Sequence, residues 1–289
     1  MRVGVVFPQT ESGTDPGFIR EYTHVTEELG FRHILAYDHV LGASLENRPD
    51  WSGPYSATDV FHEPFVLFAY MSAIASDLEF VTGVIISPQR QTVLLAKQAA
   101  SLDVLNKGRF RLGIGVGWNE LEYVGLNENF RNRGKREEEQ MDLMRQLWIN
   151  ETIDYKGEYH TIPEAGINPL PVQRPIPIWL GGKTDIAYRR AARLADGFMP
   201  QFPPDDEGKQ IVQTIRQYVS EAGRDPDEFG MEARVSLMDK SPDVWKAEFE
   251  GWRDLGATHL SVNTMRMGLK SPSDHIEMIR RFADEVGVS

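Results

Sequence analysis

The chain has 289 residues and a net charge of −12, with 41% hydrophobic and 26% charged residues; this is the balance of a folded, soluble chain, and the acidic excess speaks against a nucleic-acid partner, which needs a basic face. It contains no cysteine, which removes thiol nucleophiles, disulfides, Cys-held zinc and iron–sulfur clusters. The longest uncharged apolar stretch, Phe65 to Ala75, falls far short of the roughly 20 residues of a membrane span, and the run before Pro8 is too short for a signal peptide, so a cytoplasmic protein without a membrane partner is expected.

The first predicted strand is Arg2 to Phe7. Phe18, Tyr22, Val25 and Leu29 then recur on one helical face, and Gly30 reads as a C-terminal cap. A second strand, His33 to Tyr37, is followed by a helix over Glu63 to Ala75. The third strand, Phe80 to Ile86, leads to a helix over Val93 to Asn106. The fourth, Phe110 to Ile114, leads to a helix over Lys135 to Asn150. The second half repeats this rhythm. Strand Ile176 to Leu180 precedes helix Asp185 to Ala195, and strand Gly197 to Met199 precedes helix Lys209 to Ala222. Strand Met231 to Met238 precedes a helix marked by Trp245, Phe249, Trp252 and Leu255, opened by Ser241-Pro242. Strand His259 to Thr264 precedes the last helix, marked by Ile276, Ile279, Phe282 and Val286.

Alternating strands and helices imply parallel strands covered by helices. Eight such pairs predict a (β/α)8 barrel spanning residues 1–289 as a single domain, with a doubly wound open sheet as the alternative. Insertions are expected at Gly42 to His62, after the second strand, and at Glu151 to Pro175, before the fifth; the second has room for a hairpin around Lys156-Gly157-Glu158. Leu29-Gly30-Phe31-Arg32-His33-Ile34 echoes Leu255-Gly256-Ala257-Thr258-His259-Leu260, two helix–glycine–strand joints.

In a barrel the chemistry lies at the C-terminal ends of the strands. His33 and His259 start strands and read as structural. His39, directly after Asp38, follows the second strand and reads either as a proton donor beside a carboxylate or as a loop histidine with a capping Asp. Gly83 in Thr82-Gly83-Val84-Ile85-Ile86-Ser87-Pro88 marks a bulge, a close approach to a ligand, or simple packing. Gly113-Ile114-Gly115-Val116-Gly117-Trp118 lacks the third glycine of a dinucleotide fingerprint, because Glu120 occupies it; it leaves room for a planar ligand with Trp118 as a wall, or for tight packing. Gly181-Gly182-Lys183-Thr184 before a helix offers backbone N–H groups, a cation and a hydroxyl to a phosphate, or is a structural turn. No HxH, HExxH or GxSxG motif occurs, so neither a metal nor a serine nucleophile is expected.

Taken together, Val5-Val6-Phe7-Pro8, Asp38-His39, Thr82-Gly83-Val84, Leu94-Ala96-Lys97 with Leu102-Asp103, Gly108 through Trp118, and Ile176-Pro177-Ile178-Trp179-Leu180-Gly181-Gly182 resemble the luciferase-like monooxygenase family over nearly the whole chain. The resemblance implies a flavin or deazaflavin at the barrel mouth, backed by a non-prolyl cis peptide at Gly83-Val84, with Ile85 and Trp118 beside it. Asp38 and Ser87 would lie near the ring or its side chain, His39 near the reactive face, and Gly181, Gly182, Lys183 and Thr184 at the phosphate. The branch it most resembles uses the deazaflavin F420 for hydride transfer to or from a small organic substrate. In the sugar-phosphate dehydrogenase of that branch a catalytic Glu follows the fourth strand; here Trp118 stands in its place, with Glu120 and Glu122 just beyond, so the implied acid/base residues are His39 and Glu120. The alternatives are an FMN-dependent monooxygenase served by a reductase partner, and a barrel that only binds a flavin. The family resemblance also implies a homodimer.

Overall fold

The computed structural model describes residues 1–288. The first half runs β1 (Arg2–Val6), α1 (Pro16–Glu28), β2 (His33–Ala36), α2 (Pro64–Ser72), β3 (Glu79–Thr82), β4 (Ile85–Ile86), α3 (Thr92–Leu105), β5 (Phe110–Gly115), α4 (Glu120–Gly125) and α5 (Arg133–Ile149). An antiparallel hairpin, β6 (Ile153–Lys156) and β7 (Thr161–Ala165), follows. The second half runs β8 (Ile178–Gly181), α6 (Asp185–Leu194), β9 (Gly197–Met199), α7 (Asp206–Glu221), β10 (Gly230–Ser236), α8 (Pro242–Asp254), β11 (His259–Asn263) and α9 (Pro272–Val286).

All strands outside the hairpin pair in parallel, in the order β3-β2-β1-β11-β10-β9-β8-β5, and β3 pairs with β5 to close the ring. That pairing decides for the barrel over the open sheet. The third predicted strand is broken: β3 pairs with β5 through Phe80 and Val81, β4 through Ile85 and Ile86, and between them lies a cis peptide at Gly83-Val84. The short helix α4 has no counterpart among the predicted elements, because Glu120-Leu121-Glu122-Tyr123-Val124 is too short to show a helical period; Asn119 caps it by accepting from the Leu121 N–H at 3.2 Å.

Strand residues alternate between two environments. One set, including Val5, Ile34, Phe80, Ile114, Ile178 and Val262, packs outward against the helices. The other set points into the barrel, where Val6, Leu35, Val81, Trp179, Met199 and Met265 form a separate cluster. Below that cluster lies a polar floor. Arg111 donates from Nε to Glu79 and from Nη2 to Glu232, each at 2.9 Å. His33 Nε2 lies 2.9 Å from both Glu232 and Ser261, and the His33 and His259 rings meet edge to face at 5.8 Å. The two echoed joints therefore bring their histidines together at the floor, and Gly30 and Gly256 make the turns with φ of 83° and 80°, a conformation glycine adopts without steric cost.

Candidate active site

The mouth is built from the strand exits and roofed by the Gly42 to His62 insertion. Asp38, just past β2, is buried. Its carboxylate accepts from Arg90 at 2.8 Å and from the Ile86 N–H at 3.2 Å, and Arg90 also donates to Glu63 at 2.9 Å. Burial pushes the Asp38 carboxyl up, against the opposing pull of Arg90. Asp38 thus ties the exit of β2 to the segment that follows the cis peptide.

His39 turns the other way. Its Nδ1 lies 3.2 Å from Glu122 Oε1 on α4. The same carboxylate accepts from the Val40 N–H at 2.8 Å, the Leu41 N–H at 3.2 Å and Gln89 Nε2 at 3.2 Å. Burial raises the Glu122 carboxyl, but the hydrogen bond and charge of His39 and the two backbone N–H groups outweigh it and hold Glu122 below its ordinary range. Glu122, as a hydrogen-bond acceptor, fixes a proton on His39 Nδ1. That leaves Nε2, which has no hydrogen-bond partner among the described residues, free to meet a ligand. Tyr55 and Phe61 from the insertion pack on the His39 ring at 4.6 and 4.8 Å, and Trp118 at 6.1 Å. These side chains line a cavity of about 130 Å³.

The cis peptide Gly83-Val84 follows β3, the strand next to β2 in the ring. Val84 stands between Gly115 and Gly181: a Cβ on either glycine would come within 3.0 or 3.1 Å of its methyl groups. Next along the ring, Gly181 and Gly182 run into α6, where Thr184 accepts the Ala187 N–H at 3.3 Å and Lys183 is exposed. Two arginines near this turn are already engaged. Arg189 binds Asp185 at 2.8 Å and Arg190 binds Glu138 at 2.9 Å, so Lys183 is the cation the turn presents.

The predicted residues are therefore only partly brought together. His39, Trp118, Gly83, Val84, Gly181 and Gly182 line the mouth or its wall. Ile85 packs outward in the helix-facing core. Ser87 is buried, with its hydroxyl 3.5 Å from Glu137 on α5, a carboxyl that burial pushes up to about 8. Glu120 is exposed at the start of α4, where it borders a second, solvent-open cavity of about 480 Å³ with Arg48, Trp51 and Trp118. The acid that reaches His39 is Glu122, two residues on, because one face of this helix turns inward and Glu120 lies on the other. Sequence reasoning also missed Tyr55, which no motif marks, and Arg234. The signal for Arg234 was a second charge, two residues after Glu232 and so on the same face of the strand. It lies mid-strand in β10, exposed between buried neighbours, and donates to the Tyr37 hydroxyl at 2.9 Å.

Among the described residues no helix is long and apolar enough to cross a membrane. The family model described as luciferase-like monooxygenase matches residues 1–263. A Mycobacterium tuberculosis protein without an assigned function is 34% identical over 224 residues, covering 75% of this chain and 77% of that one. The F420-dependent hydroxymycolic acid dehydrogenase of the same organism is 30% identical over 280 residues, covering 96% of this chain and 74% of the dehydrogenase. The F420-dependent glucose-6-phosphate dehydrogenase of Segniliparus rotundus is 29% identical over 244 residues, covering 81% and 68%. Among solved structures, a monooxygenase from Streptomyces bottropensis superposes with a TM-score of 0.81 at 18% identity, covering 99% of this chain and 98% of that one. The coenzyme F420 dependent tetrahydromethanopterin reductase of Methanopyrus kandleri superposes with a TM-score of 0.73 at 16% identity, covering 97% of each. At these identities the two structures speak to the fold.

Proposed function

Because the chain belongs to the luciferase-like monooxygenase family, and is an oxidoreductase as its members are, we propose that it is an F420-dependent oxidoreductase moving a hydride between the deazaflavin and a small organic substrate. The observation that carries this reading is the His39–Glu122 pair, 3.2 Å apart, opening into an aromatic-lined cavity at the mouth, one strand round the ring from the cis Gly83-Val84 peptide. The F420 dependence of two relatives supports the choice of cofactor.

The residues present fit such a group. Gly115 and Gly181 leave the wall at Val84 without projecting side chains of their own, which suits a planar ring. Gly182, Lys183 and Thr184 at the start of α6 would hold its phosphate, and Trp118 would border the ring. When bound, the deazaflavin supplies a site that accepts or gives a hydride.

His39 supplies the proton chemistry. Its Nε2 takes the hydroxyl proton as an alcohol is oxidised, or returns it as a ketone is reduced. Glu122 fixes the tautomer and stabilises the imidazolium while its charge lasts. Tyr55, Phe61 and Trp118 exclude water around the ring, which strengthens these interactions. Asp38 and Arg90 hold the strand exits in register and stay out of the proton path.

Titration of the purified protein with F420 and with FMN, followed by fluorescence, tests the reading. F420 is expected to bind more tightly. Tighter binding of FMN, with oxygen uptake in the presence of reduced FMN, would overturn it.

A further inference from the structure

The interior of the barrel carries two arginines mid-strand, and they are treated differently. Arg111 on β5 has two carboxylates within 2.9 Å, and Arg90 at the mouth has two within 2.9 Å. Arg234 on β10 has no carboxylate within 4 Å among the described residues. Its one hydrogen bond goes to the Tyr37 hydroxyl. It lies exposed between Ala233 and Val235, which are buried, so it faces the open space of the mouth. The nearby acids are engaged elsewhere: Asp59 with the backbone and hydroxyl of Ser56, and Glu122 with His39.

The strand order fixes what Arg234 faces. β10 is four strands from β3 in either direction round the ring, so Arg234 stands opposite the cis peptide wall. Tyr55 lies between this region and the reacting group: its ring packs on His39 at 4.6 Å and on Phe61 at 4.7 Å, with the Arg266 guanidinium carbon 5.9 Å from its centre, and its hydroxyl lies within reach of the charges of both Arg234 and Arg266. A guanidinium is always charged and presents a planar fork of donors that matches a carboxylate. An exposed one without a protein counter-charge is left to pair with water or a ligand.

We propose that Arg234, with the Tyr37 hydroxyl beside it, binds the carboxylate of the substrate and sets its hydroxyl or carbonyl oxygen against His39. The substrate class is then a hydroxy- or oxo-carboxylate. Arg266, the other guanidinium near Tyr55, is taken up by the Pro54 carbonyl, which leaves Arg234 and the Tyr37 hydroxyl for a single carboxylate. This rests on the oxidoreductase reading for the word substrate; the anion site itself does not depend on it.

The test uses pyruvate as the probe, methyl pyruvate as its neutral isostere, and orthophosphate, each titrated against the protein with and without F420 and followed by the fluorescence of Trp118 and Trp51. Pyruvate is expected to bind saturably, with methyl pyruvate about tenfold weaker or worse. R234Q should lose about tenfold in pyruvate affinity, R234K should keep part of it, and both should keep the melting temperature and the F420 affinity of the parent. Equal affinity for pyruvate and its ester, unchanged pyruvate affinity in R234Q, or tighter binding of orthophosphate would overturn the assignment. A loss of F420 affinity in R234Q in place of a loss of pyruvate affinity would overturn it as well, by making Arg234 a cofactor residue. Failure of F420 to bind the parent protein would sink the cofactor reading and leave the pyruvate result standing on its own.

Discussion

At the floor of the barrel Arg111 is clasped by Glu79 and Glu232, and Glu232 is shared with His33 and Ser261. At the mouth His39 has a partner on one nitrogen only, and Arg234 has no acid at all. The same residue types line the same barrel, a few residues apart along the strands. The floor closes its charges on one another, with the Arg111 guanidinium also over the Trp179 ring at 4.5 Å. The mouth leaves a base and a cation facing open space. Closed charges hold a structure in one arrangement, whereas open ones wait for a ligand, which is why function is read from the mouth and stability from the floor.

The comparison predicts different losses at the two ends. At the mouth, H39A should lower turnover by roughly 10²–10⁴-fold, the usual share of general acid–base catalysis, with F420 affinity nearly unchanged. Steady-state rates and an F420 titration check this, and an unchanged turnover would remove His39 from the mechanism. At the floor, E232Q should cost about 3 kcal/mol or more in stability, because it leaves Arg111 with a single carboxylate in a buried setting, while substrate affinity per folded molecule stays the same. Denaturant unfolding read beside activity separates the two effects. Between them in kind stands E122Q. It keeps the shape of the His39 partner but removes its charge, and roughly a tenfold loss in turnover is expected, together with a displaced limb in the pH–rate profile. A purely structural role for Glu122 would leave that limb in place.

The pH dependence of stability sharpens the contrast. Opposing charges hold Glu232 well below the carboxylate range, and burial together with the Arg111 charge pushes His259 down to about 2. Both groups take protons more readily in the unfolded chain. Their stabilisation is therefore present above the unfolded values, near 6.5 for His259, and drains away as the pH falls. Glu137 behind Ser87 behaves oppositely. Burial raises it to about 8, so its contribution is present at low pH and is lost as pH rises from the ordinary carboxylate range through about 8. E137Q should therefore raise the melting temperature at alkaline pH and change it little in acid. Melting curves across the range check this smallest effect, and an equal shift at both ends would contradict the burial argument.

The fold was largely legible because its signal is repetitive. Apolar strand runs and helical faces such as Phe18, Tyr22, Val25 and Leu29 report burial residue by residue, and glycines at 30 and 256 punctuate the joints. The apolar run from Phe80 to Ile86 read as one strand; the break within it was marked only by Gly83 and by the family resemblance, which implied the cis peptide at Gly83-Val84 that the structure has. Of the candidate site, Asp38-His39 and the glycines at 83, 181 and 182 were visible from their place after strands. Glu122 stood in view beside Glu120, but a six-residue helix gives too little period to say which of two acids turns inward.

By itself the sequence determined the alternation of strands and helices, the count of eight, the two insertions, and the strand ends on which the site would be built. These follow from local patterns of burial and turn chemistry. Only the tertiary structure decided which charges meet. That Arg111 closes against Glu79 and Glu232 while Arg234 faces open space depends on strands from opposite sides of the ring converging on one axis. Pairing across that axis depends on distances that no spacing along the chain records.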